Sequence, residues 1–170
     1  MRCVLETERL ALRELAVPDL DFVATMLGDA EVMRYFPKPL SRAESRAWLD
    51  RQRRRYADHG HGLWLAVERT SGCSVGQTGL LAQEVEGVAE HEIAYLLHRP
   101  FWQRGFATEA GLAIRDLAFM TLAVPRVISL VRPENEPSRA VARRLGMRPG
   151  REVLFKGFVH TVFSVTRETT

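Results

Sequence analysis

The stretch RPFWQRGFATEAG (Arg99–Gly111) holds the residue types most able to do chemistry in this chain. Gly105 permits a backbone angle that is costly for other residues. Ala107, two positions on, is small enough to let a ligand reach the main chain. Unpaired N–H groups of a bent loop and of a first helical turn can converge on phosphate oxygens. Arg104 and Arg99 would add positive charge at the rim. The same glycine can also simply punctuate a strand-to-helix turn. The run is not a Walker A loop, because no Gly-Lys-Ser/Thr follows, and it lacks the G-x-G-x-x-G of a dinucleotide fingerprint. Cys3 and Cys73 sit in no recognisable nucleophilic setting and form no zinc spacing, so neither covalent thiol chemistry nor a metal site is expected.

The loop needs elements to hold it. HEIAYLLH (His91–His98) is a mostly apolar strand before it, suited to a sheet covered on both faces. A helix from about Thr108 to Leu122 follows, with Ala110, Ile114, Leu117 and Ala118 on one side, and Pro125 ends it. RVISLV (Arg126–Val131) is a β-branched strand, so strand, helix and strand form one crossover unit, with ligands past the strands' carboxyl ends. Upstream, Glu8–Leu15 alternates with period two as a first strand, and Pro18 opens a short helix ended by Gly28. Val32–Leu40 is a loop. Ser41 and Glu44 form a capping box for a helix to about Tyr56. Gly62–Glu68 and Ser74–Gln83 are paired strands across the Arg69–Gly72 turn. Downstream, Pro137–Gly146 is a helix, and Val153–Gly157 and Val159–Thr166 close the chain as strands. The expectation is a mixed α/β fold of about seven strands with helices on both faces, a single domain over residues 1–170.

Composition narrows the function classes. Apolar residues make up 46% and charged residues 26%, as in a globular chain. The charge is only +3, from 24 basic against 21 acidic residues. The one dense basic run, Asp50–Asp58, is flanked by acids and reads as a solvated helix face, so no nucleic-acid partner is expected. Residues 1–25 show no signal-peptide pattern and no apolar run is long enough to span a bilayer, so a cytoplasmic protein with no membrane partner is expected.

HEIAYLLHRPFWQRGFATEAG taken together with RVISLVRPENEPSRAVARRLGMRPG (Arg126–Gly150) resembles the GNAT N-acetyltransferases, most closely their ribosomal-protein N-terminal acetyltransferase branch. The order of elements from Glu8 to Thr166 is similar too. The resemblance implies the GNAT fold, acetyl-CoA as donor, and a loop that wraps its diphosphate at Gln103, Arg104, Gly105, Phe106, Ala107 and Thr108. Trp102 departs from the family's Gln/Arg at the first loop position, which puts a side-chain contact there in doubt but not the backbone cradle. It further implies that the strand holding Tyr95, Leu96 and Leu97, with a bulge nearby, parts from Val127–Val131 to admit the pantetheine arm, and that Asn135 contacts the cofactor. Asn135 would serve equally as a turn cap.

Direct acetyl transfer needs a neutral amine, a polarised thioester carbonyl and a stabilised thiolate. Glu90, His91 and Glu92 are the base candidates, with the two glutamates on one strand face and the histidine on the other. The resemblance favours Glu92, also as a substrate contact, and gives Ser138 the part of a donor aimed at sulfur, although Ser138 could serve only the helix start. It places the acceptor among the early helices, the Tyr35–Leu40 loop and the hairpin at Gly157, walled by Tyr35, Phe36, Trp64 and Phe158. Arg34 could meet an acidic acceptor. The acceptor is expected to be a protein N-terminus or a small-molecule amine. A non-catalytic acetyl-CoA binder or sensor is the alternative, and a homodimer through the last strands is compatible with the pattern.

Overall fold

Leu10 and Leu12 point inward from a short strand and are fully buried, while Ala11 and Arg13 between them are partly exposed. The computed structural model describes residues 3–167 and shows this strand, β2 (Leu10–Arg13), paired with a preceding β1 (Cys3–Glu6). β1 brings the sheet to eight strands among the described residues. Its largely exposed residues carry no burial rhythm from which a strand could be read. Arg13 then pairs through both guanidinium nitrogens with the carboxylate of Asp19, at 2.8 and 2.7 Å, and Asp19 also accepts from the Ala16 amide. This closes the turn that carries the chain into α1 (Leu20–Gly28).

The capping box opens α2 (Arg42–His59) as expected: Ser41 Oγ accepts from the Glu44 amide and Glu44 accepts from the Ser41 amide. With Lys38 also bonded to it, the Glu44 carboxyl is held down at about 2. An antiparallel meander of β3 (Leu63–Glu68), β4 (Ser74–Val85) and β5 (Val88–Leu97) follows. A hairpin at Glu86 and Gly87, both with positive φ, lets β4 and β5 run longer than the sequence pattern suggests. Then come α3 (Phe106–Met120), β6 (Arg126–Val131), α4 (Glu136–Arg144), β7 (Arg148–Phe155) and β8 (Phe158–Thr166). β7 starts well before Val153 and includes Pro149, which an edge strand tolerates because the missing N–H faces away from the ladder.

The sheet order is β1-β2-β3-β4-β5-β6-β8-β7, antiparallel throughout except for β5 and β6. Strand alternation splits the core. Trp64, Ile93, Phe106, Ile114 and Phe163 pack on one side with α3 and α4 residues, and Val23, Met26, Leu27, Leu49 and Leu65 pack on the other beneath α1 and α2. The parallel pair is barely a pair. Glu92 opposite Ile128 is its only ladder position, reinforced by Ser129 Oγ donating to the Ile93 carbonyl at 2.7 Å. Beyond that point β6 keeps its partner β8 along its whole length, while β5 follows β4 to Leu97. Each strand is held by a different neighbour, so the two part and leave a cleft between them.

Candidate functional site

The cleft has a volume of about 780 Å³. Its sides are the diverging ends of β5 and β6, and α2, the Glu31–Pro37 loop and the β7–β8 hairpin close over one end. Ile93 turns its carbonyl to β6, and Ala94 turns its own to Thr78 of β4. By strand alternation the backbone groups of Tyr95 and Leu97 therefore face the gap. The β4–β5 register runs unbroken from Leu97 to Val88, so the expected bulge is absent and the splay alone frees this edge.

At the carboxyl end of β5 the chain makes a 3-10 turn, Arg99–Phe101. The Trp102 indole N–H donates to the Leu97 carbonyl at 2.8 Å and folds the loop back on the strand end, a latch that the aromatic residue alone did not reveal. It also takes up one of the two Leu97 groups expected to bond a ligand. Gln103 and Gly105 both have positive φ, 60° and 81°, and Gly105 is the residue before α3. The two left-handed residues curl the main chain. None of the amides from Gln103 to Thr108 has a hydrogen-bond partner among the described residues. Six consecutive free N–H groups at a helix start are donors that can serve as an anion cradle.

Side chains there behave differently from the expectation of rim charge. The Arg104 guanidinium pairs with Glu68 at 2.9 Å and lies over Phe101 and Phe106, while Arg99 pairs with Asp29 at 3.6 Å. Neither lines the cleft, since each arginine is turned to its own acid. Phe106 is a core residue, 1% exposed, and can contribute only its amide. Gln103 and Ala107 do line the cleft, and Thr108 ends the cradle as the third residue of α3. Glu109 is accounted for by its bonds to Thr7 and Arg9.

At the other end, Glu92 is the one base candidate on the cleft wall. Glu90 pairs with Arg126 at 3.4 Å, and His91 faces the other side of the strand against His61. Glu92 is buried, at 9% exposed, and its Oε2 accepts from Gln83 Nε2 at 2.8 Å. Burial pushes its carboxyl above the ordinary range, and the Gln83 bond and the Lys156 charge offset only part of that push. Tyr95 bridges the two sides of the cleft: its hydroxyl donates to the Ser138 carbonyl at 2.8 Å and ties β5 to the start of α4. Asn135 caps α4, with Oδ1 accepting from the Ser138 amide at 3.1 Å, so the turn-cap reading is realised, and the residue also lines the cleft. Ser138 lines it too, and its Oγ makes no bond among the described residues.

Tyr35, Phe36 and Phe158, the residues expected to wall an acceptor, line the cleft, as does Leu96 from β5. Trp64 does not line it. Trp64 is 1% exposed and packs in the core beneath α3, because alternation along β3 turns Leu63 and Leu65 toward the α2 side and Trp64 away from it. Its place is taken by Trp48 of α2, whose indole N–H donates to Gln77 at 2.9 Å and whose ring meets Phe36 edge-on. Trp48, Arg51, Gln52 and Arg55 all line the cleft. Their i, i+3, i+4, i+7 spacing was present in the sequence as a helical stripe. Lys156, at the tip of the β7–β8 hairpin, is the other functional candidate that the sequence reading passed over.

No group of three or more acidic, histidine or cysteine side chains suited to a metal occurs among the described residues, and no described helix is long and apolar enough to cross a membrane. Comparison with known proteins agrees with the geometry. The family model "Acetyltransferase (GNAT) domain" matches residues 9–148. The "Uncharacterized protein YkkB" of Bacillus subtilis is 32% identical over 147 residues, covering 84% of each chain. The crystal structure of an acetyltransferase from Agrobacterium tumefaciens is similar with a TM-score of 0.82 at 28% identity, over 96% of this chain and 94% of that one. The coenzyme A complex of RimL, a ribosomal L7/L12 alpha-N-protein acetyltransferase, shares the fold with a TM-score of 0.77 at 14% identity, over 97% and 98% of the two chains. A family model spanning most of the chain, on a sheet parted between β5 and β6 above a free-amide cradle, establishes that this protein belongs to the GNAT acetyltransferase family.

Proposed function

We propose that this chain moves the acetyl group of acetyl-CoA directly onto a primary amine, with Glu92 as the base and Ser138 as the donor to the leaving sulfur. One observation carries the reading: a single cleft is lined at one end by Gln103 and Ala107, from a loop whose six amides have no partner among the described residues, and at the other by a buried carboxylate. Five residues of extended β5 separate Glu92 from Leu97, about 17 Å at ~3.4 Å per residue, the reach of an extended arm lying along the strand edge. The cradle fits a diphosphate, and the Tyr95 and Leu97 edge fits an arm with amide groups of its own. Acetyl-CoA supplies the thioester. Within the cleft, the amine nitrogen bonds to the acetyl carbon as the carbon–sulfur bond breaks. The proton leaving nitrogen goes to the Glu92 carboxylate, which the Gln83 bond holds in place. Ser138 Oγ donates toward the sulfur and stabilises its developing charge.

A turnover screen with acetyl-CoA against small amines and peptides tests this reading, followed by release of the coenzyme A thiol. Binding without turnover on every amine would leave a cofactor-holding protein. Two variants separate the roles. Ser138→Ala is expected to lower kcat by about 10-fold while the dissociation constant for acetyl-CoA stays within about twofold. Gly105→Ala forces a side chain onto a backbone at φ 81°, a cost of about 1–2 kcal/mol. It is expected to lower the melting temperature by a few degrees and to weaken coenzyme A binding in a calorimetric titration by about 10-fold.

A further inference from the structure

We infer that the amine acceptor also carries an oxyanion group, carboxylate or phosphate, held beside Glu92 by Arg51, Arg55 and Lys156. The inference deepens the transferase reading and rests on it for the amine. The basic run of α2 is only in part a solvated face. Arg53 and Arg54 are exposed and do not line the cleft, and Arg53 pairs with Asp50 at 3.6 Å. Arg51 and Arg55, one turn apart, both face the cleft.

Glu92 is the one acid whose charge acts on Arg55 and Lys156, and it bonds to Gln83 instead. Neither arginine nor Lys156 makes an ion pair among the described residues. Arg55 Nη1 is buried with no hydrogen-bond partner among the described residues. A buried guanidinium nitrogen without an acceptor is costly, and a ligand oxygen would relieve it. Arg51 lies over the Trp48 ring and Lys156 over the Phe155 ring, so both heads are held near the cleft instead of extending freely. Glu92 and Glu31 are the only acids on the cleft wall, against Arg34, Arg132 and these three, and Arg132 is already paired with Glu134. Burial lowers the Lys156 amine, and although Glu92 opposes this, Arg55 and Arg51 add to it, as expected for cations crowded around too little negative charge.

The cluster is not placed for the donor's diphosphate. Arg55 and Lys156 act on Glu92 by charge and Arg51 acts on both of them, while the amide cradle lies past Leu97 at the far end of the cleft. Its charge has a second consequence. Cations around the amine disfavour its ammonium form and raise the share of the neutral nucleophile. An acceptor with an oxyanion would thus bind through the cluster and present a neutral amine to the acetyl carbon.

The test compares matched amines that differ in one charge: phenylalanine with phenethylamine, O-phosphoethanolamine with ethanolamine, and peptides with Asp or Asn behind a common first residue. These arms separate a carboxylate, a phosphate and an acidic peptide. The anionic member of at least one pair is expected to show a kcat/KM about 10-fold or more above its neutral twin. In Arg55→Gln and in Lys156→Gln that ratio is expected to fall toward one through KM, and in Arg53→Gln to stay as in the wild type. A ratio at or below one in every pair, or one that survives both substitutions, overturns the inference. Calorimetric titration of the N-acetylated product of each amine into the coenzyme A-saturated protein gives a readout independent of turnover. Anion-selective binding that needs Arg55, with no turnover of any amine, would sink acetyl transfer and keep the oxyanion site. Turnover with no anionic preference in rate or binding would do the reverse, and no preference in either measurement overturns the oxyanion site outright.

Discussion

Glu92→Gln is expected to reduce kcat by about 100- to 1,000-fold, the range of a lost general base, while acetyl-CoA affinity stays within about twofold. The substitution keeps the shape of the side chain and its contact with Gln83 but removes the group proposed to take the amine proton. The wild-type rate should fall on the acid side as Glu92 is protonated, at a pH above the ordinary glutamate range, because burial raises this carboxyl. The residual activity of the variant should lack that limb. A stability measurement accompanies it. A carboxyl whose folded-state pKa is raised holds its proton more tightly in the folded state than in the unfolded chain. Folding stability therefore falls as pH rises from the unfolded value of about 4.3 through the folded one, and the penalty persists above it. Glu92→Gln should accordingly melt higher than the wild type at pH 7 and lose that advantage at pH 4. A variant with wild-type turnover across pH would remove Glu92 from the reaction.

The largest stability effect is expected from Arg13→Met. Asp19 is 9% exposed and takes two bonds from Arg13 and one from the Ala16 amide. Removing the guanidinium strands a buried carboxylate, at a cost of about 3 kcal/mol, the low end for a broken buried pair because Arg13 is itself partly exposed. For a chain of this size that is a fall in melting temperature of roughly 6–12 °C. Its pH dependence identifies the cause. Burial pushes the Asp19 carboxyl up, but the Arg13 bonds and charge and the Ala16 amide together bring it below the ordinary range. A depressed folded-state pKa stabilises fully above the unfolded value of about 3.9 and ceases to as pH falls through the folded value. In Arg13→Met burial dominates, so the gap between variant and wild type should narrow as pH is lowered from 7 toward 4. A gap that stays constant with pH would assign the loss to packing of the arginine stem instead.

The two residues sit at opposite ends of what could be read from the chain. Local patterns were legible. The capping box at Ser41 and Glu44, the glycine before α3 and the alternation around β2 act within a few residues of chain, so their residue types specify the conformation directly. The bend before α3 was legible for the same reason, since it is main chain turned at Gly105. β1 is not legible because an exposed edge strand needs no apolar rhythm, and the first half of β7 is not because its Pro149 reads as a break until the strand is known to lie at an edge.

The order of elements after β1, the family and the loop with unpaired amides follow from residue types and their spacing. Which side of the sheet each side chain faces, and what meets across the cleft, depends on the folded molecule. It sent Trp64 into the core and brought Trp48, Arg51 and Arg55 of α2 to Lys156 and Glu92, far apart in the chain. Side-chain periodicity fixes which residues share a face, but strand order and crossover choose the partner of that face, and those are set by packing over the whole molecule.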